Sequence, residues 1–374
     1  MTRSAALITG IAIGGGLVLG AAALGVVGGR RAIHPRPKRR PVVRTVNAQQ
    51  IQLERTPATV APGQFRIRFG PQDALTALVG EIVGQDEATV TRALVDASQG
   101  LPAVDDAVLW TGYVYTDPAS LNNPYEEVRI QAPDGARKAY LFESATFTTR
   151  WAIHVHGIHS SRTSALRSVP GTLSAGLTSL VVSYRGDVED PTALPATLGQ
   201  EEAHDVEAAI QYAVDHGAKD VVLVGWSMGA TINLILAATS RQRARIAGLV
   251  FVGPALDWRA IIGAAARRSG IPGLLAPLFT AALTMPGLAQ AAGLRRPLRA
   301  AHLRPSLDSI PAPVLILHSE GDTDAPIGAS EELVRTYPNQ VILERFQPVP
   351  HGMEWNSDPQ RFTTRIRQFV ESLP

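Results

Sequence analysis

The chain has 374 residues, 45% of them hydrophobic, enough for one sizeable core and a smaller companion module. It contains no cysteine, which excludes disulfides, thiolate metal sites and a thiol nucleophile. Lys+Arg number 35 against Asp+Glu 33, but eight of the basic residues lie at or before Arg44; the rest of the chain carries 27 against 33, a net of −6, and so gives no sign of nucleic-acid binding.

Residues 1–4 are a short tail. Residues 5–29, from Ala5 to Gly29, hold no charge and consist mainly of Ala, Gly, Leu, Ile and Val. A helix needs about 20 apolar residues to cross a bilayer, so a transmembrane anchor is expected here. The repeated glycines Gly10, Gly14, Gly16 and Gly20 reflect composition in so glycine-rich a run. Residues 30–44 form a basic, Pro-rich linker with Arg30, Arg31, Arg36, Lys38, Arg39, Arg40 and Arg44. A positive flank favours the cytoplasm, which places the downstream domain on that side, where the linker can meet anionic headgroups. Ala21-Ala22-Ala23 offers a cleavage site for the alternative, export after signal removal.

A small module is expected over 45–122. Gly63 to Phe69 alternates like a strand, Asp86 to Ser98 reads as helical, and Trp110 to Tyr115 reads as another strand. Residues 123–374 form the larger domain. Glu127–Gln131 and Lys138–Phe142 flank the turn Pro133-Asp134-Gly135, a hairpin signal. Trp151–Val155 is a third strand with His156-Gly157-Ile158 opening its loop, and Leu180–Tyr184 is a fourth. Helical spacing runs from Gly199 to Val214. The apolar strand Val221–Val224 enters Gly225-Trp226-Ser227-Met228-Gly229, which is followed by a helix from Ala230 to Ser240. Ile246–Val252 is the next strand. Residues 255–310 are an apolar and basic insertion, and Pro313–Leu317 and Gln340–Phe346 are the last strands. Apolar runs alternating with helices predict a mostly parallel central sheet covered on both faces, with ligands at the carboxyl ends of its strands.

Strand, tight turn with G-x-S-x-G, then helix is the context of a nucleophile elbow, which makes Ser227 the candidate nucleophile and the Met228 N–H an oxyanion donor. A serine needs a base. Of nine histidines, His34 lies in the linker; His154, His156, His159, His204 and His216 precede Ser227; only His302, His318 and His351 follow it. His302 sits among arginines in the insertion and His318 ends a strand as a structural residue. His351 lies on a loop beyond the last strand, free to reach the nucleophile. The orienting acid belongs on the loop Ser319 to Ile327, where Asp322 and Asp324 both qualify. His154, His156 and His159 have no metal-site spacing beyond alternation along a strand. No phosphate loop or dinucleotide fingerprint is present, so neither metal nor cofactor is expected.

These passages resemble the α/β-hydrolase superfamily. The resemblance implies the α/β-hydrolase fold, with a helical cap at about 255–310. It also implies a catalytic set in the order Ser227, Asp322, His351. The superfamily's acid loop reads H-G-x-x-D-x-x-V-P; aligning Pro326 with its proline selects Asp322 and leaves Asp324 as a turn carboxylate. His156-Gly157-Ile158 is similar to the H-G-x oxyanion loop, which makes the Ile158 N–H the second donor and His156 a brace. Val155-His156-Gly157, Ser161-Arg162, Tyr184-Arg185, the elbow and Pro254-Ala255-Leu256-Asp257-Trp258 further resemble membrane-anchored hydrolases of high-GC actinobacteria. Ala230 stands where those relatives often carry glycine. The expected function is a serine hydrolase cleaving small-molecule carboxylic esters through an acyl-enzyme. The alternatives are a peptidase or amidase of prolyl-oligopeptidase-like type, whose large propeller has no counterpart in these residues; an acyltransferase; and a non-catalytic hydrolase-like binding protein at the membrane. A complete Ser-Asp-His set opposes the last.

Overall fold

The computed structural model describes residues 20–374, except 32, 34–38, 147, 191–193, 195–196, 300–302 and 304–305. Residues 5–19 of the expected membrane helix lie outside the described residues, as does His302. Among the described residues no helix is long and apolar enough to cross a membrane. Residues 20–31 form helix α1, and this helix packs on protein. A Cβ on Gly28 would fall 2.2 Å from the Phe279 ring of the insertion, so glycine is what lets the two segments touch. Ile33, just beyond, is buried in the main core, and its carbonyl is hydrogen-bonded to His159 Nε2 at 3.0 Å. Within the expected 5–29 span, Gly25, Gly28 and Gly29 therefore lie against the insertion.

The amino-terminal module is an antiparallel sheet of β1 (Val43–Val46), β2 (Gln50–Glu54), β3 (Phe65–Phe69), β4 (Leu75–Gln85), β5 (Thr89–Asp96) and β6 (Leu109–Thr111), in the order β1-β2-β5-β4-β3-β6. The chain entering β6 returns to β1, with Val43 N–H on Asp106 O at 2.9 Å and Asp105 N–H on Val43 O at 2.8 Å, closing the sheet on itself. The module thus begins two residues inside the expected linker. Its own core contains Ile51, Leu53, Phe65, Ile67, Val79, Val90 and Trp110.

Residues 86–98, expected to be helical, form β5 and the turn before it. Asp86 Oδ1 accepts from Ala88 and Thr89 N–H at 2.8 and 2.7 Å, an Asx turn that reverses β4 into β5. The inward face of β5 is Val90, Arg92 and Leu94, and Arg92 is fully buried. A charged residue in the middle of the apolar face hid the alternation, leaving Val90 and Leu94 at a helical spacing of four.

The larger domain contains an eight-stranded sheet of β7 (Glu126–Ala132), β8 (Gly135–Phe142), β9 (Arg150–Val155), β10 (Thr178–Val182), β11 (Asp220–Trp226), β12 (Ile246–Val252), β13 (Val314–Ser319) and β14 (Val341–Phe346). The order is β14-β13-β12-β11-β9-β10-β8-β7; β9 to β14 pair in parallel, and β7 and β8 are the antiparallel hairpin. Alternation along β11 divides the core. Val221 and Leu223 join Val206 and Ile210 of α3 (Glu202–Asp215) and Ile232 and Leu236 of α4 (Met228–Thr239). Val222 and Val224 join Val169 of α2 (Val169–Ser174) and Phe362 and Ile366 of α10 (Pro359–Glu371). Each such buried side chain contributes about 1.5–3 kcal/mol relative to exposure. The insertion is helical, with α5 (Trp258–Arg268), α6 (Ala276–Thr284) and α7 (Leu288–Ala291). Helices α8 (Gly328–Thr336) and α9 (Glu354–Ser357) complete the set used below.

Candidate active site

Central strand β11 delivers Ser227 to the carboxyl edge of the sheet, where the chain turns into α4. Ser227 has φ 50° and ψ −114°, a conformation that side-chain-bearing residues avoid and that costs on the order of 1–3 kcal/mol. Three backbone hydrogen bonds hold it there. Its N–H donates to Val252 O at 2.9 Å, and its carbonyl accepts from Ala230 and Ala255 N–H, both at 3.0 Å. The strain lifts Oγ out of the helix start and toward the loops beyond β9, β13 and β14.

His351, on the loop after β14, meets it. His351 Nε2 lies 2.9 Å from Ser227 Oγ, and His351 Nδ1 lies 2.6 Å from Asp322 Oδ2. In the neutral ring, Nδ1–H donates to the carboxylate and Nε2 accepts from the serine hydroxyl. The loop fixes Asp322, whose other oxygen accepts from Asp324 and Ala325 N–H at 2.8 and 2.9 Å. Burial alone would lower the His351 pKa, but the charge and hydrogen bond of Asp322, with Asp324 and Glu354 behind it, hold it at about 9. Burial alone would raise the Asp322 pKa; His351 and His318 instead hold it well below the usual carboxylate range. Asp324 is exposed and pairs with Arg268 of α5 at 3.0 Å. The structure thus brings together Ser227, Asp322 and His351, and turns the alternative acid, Asp324, toward the insertion.

The two expected donors flank the nucleophile. Met228 opens α4, and the loop after β9 passes directly against Ser227, where a Cβ on Gly157 would lie 3.1 Å from Ser227 Cβ. Among the described residues neither the Met228 N–H nor the Ile158 N–H has a backbone acceptor. His156 is buried, stacks on Tyr184 with ring centroids 3.9 Å apart, and places Nδ1 2.9 Å from Gly157 O. Tyr184 Oη donates to His156 O and Gly157 O at 3.0 and 2.9 Å. His156 and Tyr184 therefore brace the loop, as expected of His156.

A model of the Alpha/beta hydrolase family matches residues 152–363, more than half of the chain. The chain belongs to the alpha/beta hydrolase family. A second model, a domain of unknown function (DUF8805), matches residues 42–111 of this hydrolase, which are the amino-terminal module. No curated protein matches the sequence. Two crystal structures of the Pyrococcus furiosus esterase Pf2001 are similar, with TM-scores of 0.54 and 0.52 at 19% and 18% identity. They cover 69% of this chain and 94% and 96% of the esterase chain. At that identity the likeness is one of fold.

Three further residues of the hydrolase bear on the site. His318, read from sequence as structural, closes β13 with Nε2 2.9 Å from Ala325 O and 3.2 Å from Asp322 Oδ2, while Nδ1 meets Ser330 Oγ at 2.8 Å. It therefore supports the acid as well as the strand end. Glu354 is fully buried behind His351, with Oε1 accepting from Ser319 N–H at 3.2 Å; burial and then the nearby Asp322 charge push its pKa up. Arg167 is buried, donates to Gly352 O at 2.7 Å, and lies over the Trp226 ring at 4.2 Å. Sequence gave no motif for Glu354 or Arg167. The available signal for Glu354 was an acidic residue three places after His351; for Arg167 it was a second arginine, five residues after Arg162, in a stretch of mostly small residues.

Proposed function

We propose that the protein is a serine hydrolase that cleaves carboxylic esters through an acyl-enzyme on Ser227. The observation that carries this reading is the continuous chain from Ser227 Oγ through His351 to Asp322, with steps of 2.9 and 2.6 Å. As Ser227 Oγ bonds to the ester carbonyl carbon, His351 Nε2 takes the hydroxyl proton and Asp322 stabilises the imidazolium. The carbonyl oxygen gains negative charge, which the Met228 and Ile158 N–H groups receive; one such donor is worth on the order of 10²–10³ in rate. Collapse breaks the C–O bond, and His351 returns the proton to the departing alkoxide. Water then attacks the acyl-enzyme with His351 again as base, releasing the carboxylic acid and restoring Ser227. Esters are preferred to amides in this proposal because an alkoxide leaves more readily than an amine. The test is labelling of the folded protein with a fluorophosphonate, beside Ser227→Ala. Labelling that vanishes in the variant, together with a fall of at least about 10⁴-fold in ester turnover, supports the reading. A folded wild-type protein that does not label sinks it, and turnover of amides but not esters moves it to the peptidase branch.

We further infer that the segment before the module holds the protein at a membrane, with the hydrolase domain on the cytoplasmic side. Support comes from the uncharged run over 5–29 and the seven basic residues over 30–44. Carbonate extraction and protease protection in sealed vesicles test it. Release by carbonate, or digestion of the domain from the outer face, overturns it.

A further inference from the structure

The amino-terminal module and the catalytic loops meet at two buried polar side chains. Asn356, on α9 and five residues after His351, is fully buried. Its Nδ2 donates to Gln64 O at 2.7 Å and Gly112 O at 2.9 Å, and its own carbonyl accepts from Gln64 N–H at 3.1 Å. All three contacts are with the module. Its Oδ1 accepts from Arg167 Nη1 at 2.8 Å. That same nitrogen donates to Gly352 O at 2.7 Å, the carbonyl one residue past the base. The guanidinium face lies over Trp226, one residue before the nucleophile. Burial lowers the Arg167 pKa to about 10, which leaves it a cation at neutral pH.

The module side of this contact is itself rigidly made. Arg92, the buried cation of β5, donates to Thr59 O and Ala61 O, each at 2.8 Å, to Gly80 O at 2.8 Å and to Gly63 O. It thus ties down the loop that leads to Gln64. At Gly63 (φ +100°) a Cβ would fall 1.8 Å from Asn356 O, so backbone lies directly on backbone. The chain of contacts runs from the module's core, through Gln64 and Gly112, to Asn356, then to Arg167, and ends beside both members of the Ser227–His351 pair.

We propose that Asn356 and Arg167 are positioning residues through which the amino-terminal module fixes the His351 loop against Ser227. This rests on the hydrolase reading above. A simple buried interface would add stability without governing how the base meets the nucleophile. A coupling element does both, since a misplacement of about 1 Å can cost about 10²-fold in rate.

The test uses the full chain. Asn356→Asp keeps size and the acceptor for Arg167 but removes both donors to the module. Arg167→Lys keeps the charge but loses the planar group that serves Gly352 O and Asn356 while lying on Trp226. Val83→Ser, on the exposed β4–β5 hairpin, serves as the control. In folded variants, kcat is expected to fall about 10- to 100-fold with KM within about threefold, and the pH limb set by His351 to shift. The low-field Nδ1 proton signal of His351, read by NMR without turnover, is expected to move or broaden in both variants and to stay in place in Val83→Ser. If Asn356→Asp does not fold, Arg167→Lys alone carries the test. Unchanged kcat, pH limb and His351 signal in a variant that merely melts earlier overturn the coupling. A wild type unreactive to fluorophosphonate overturns the hydrolase reading instead, and the His351 signal still decides the coupling.

Discussion

His351 combines two opposed influences, and its titration separates them. His351 serves as base in the proposed mechanism only when unprotonated, and its pKa is held at about 9 by Asp322 against the effect of burial. In the proposed mechanism kcat/KM therefore rises about tenfold per pH unit below that value and levels off above it. Asp322→Asn removes the largest raising influence and leaves burial opposed only by Asp324 and Glu354, so the limb moves to lower pH; the plateau falls by about 10⁴-fold because the ring loses its orienting acceptor. A pH–rate profile of both proteins checks this, and a limb that stays in place in the variant counts against Asp322 as the acid. Ser227 and His351 were legible in sequence because chemistry constrains them locally: one needs a turn between strand and helix, the other a loop beyond the last strand. Glu354 and Arg167 were not, because their importance lies in what is buried beside them, and one strand of sequence does not record its spatial neighbours.

At the scale of elements, the parallel strands were readable because full burial on both faces leaves a run of apolar residues, as in Val221 to Val224. Strand β5 was not, since Arg92 occupies the inward face and its carbonyl partners are Gly80 of the neighbouring strand β4 and Thr59, Ala61 and Gly63 of one loop distant in sequence. That arrangement makes a specific prediction. Arg92→Met fills similar volume without donors and leaves those carbonyls buried and unpaired, which costs about 1–3 kcal/mol for each group left unmet. Chemical denaturation is expected to show a loss of several kcal/mol; a loss under about 1 kcal/mol would mean that the carbonyls find other partners. Helix α1 offers a second test. Gly28→Leu cannot fit against Phe279, so α1 is expected to leave α6 and its amides to exchange faster by hydrogen-exchange mass spectrometry. Unchanged protection would show that the contact yields without separating.

The whole molecule joins its two sheets through a shared core. Val349 is buried among the module's side chains, and Met353 packs against them, although both belong to the loop that carries His351. Neither part can lose its packing without exposing the other. Scanning calorimetry is expected to show one cooperative transition for the module and hydrolase domain together; two resolved transitions would separate them. Where the module meets the larger domain was not legible in sequence, because the contact uses backbone carbonyls of Gln64 and Gly112, which no side-chain pattern marks.

The glycine contact between α1 and Phe279 has a consequence for membrane attachment. With Gly25, Gly28 and Gly29 against the helical insertion, residues 5–24 would rise about 30 Å as a helix, which only just matches the roughly 30 Å hydrocarbon core. Under the proposed attachment, any deeper seating in the bilayer would draw on residues that already contact Phe279 and Leu283. Moving them into lipid would uncover Phe279 and Leu283 and pull on nearby Ile33, whose carbonyl meets His159, the residue after Ile158. Under that proposal bilayer and protein would compete for a single segment, and whatever free energy the lipid gained by extracting it would be charged against the loop that carries Ile158 and His159.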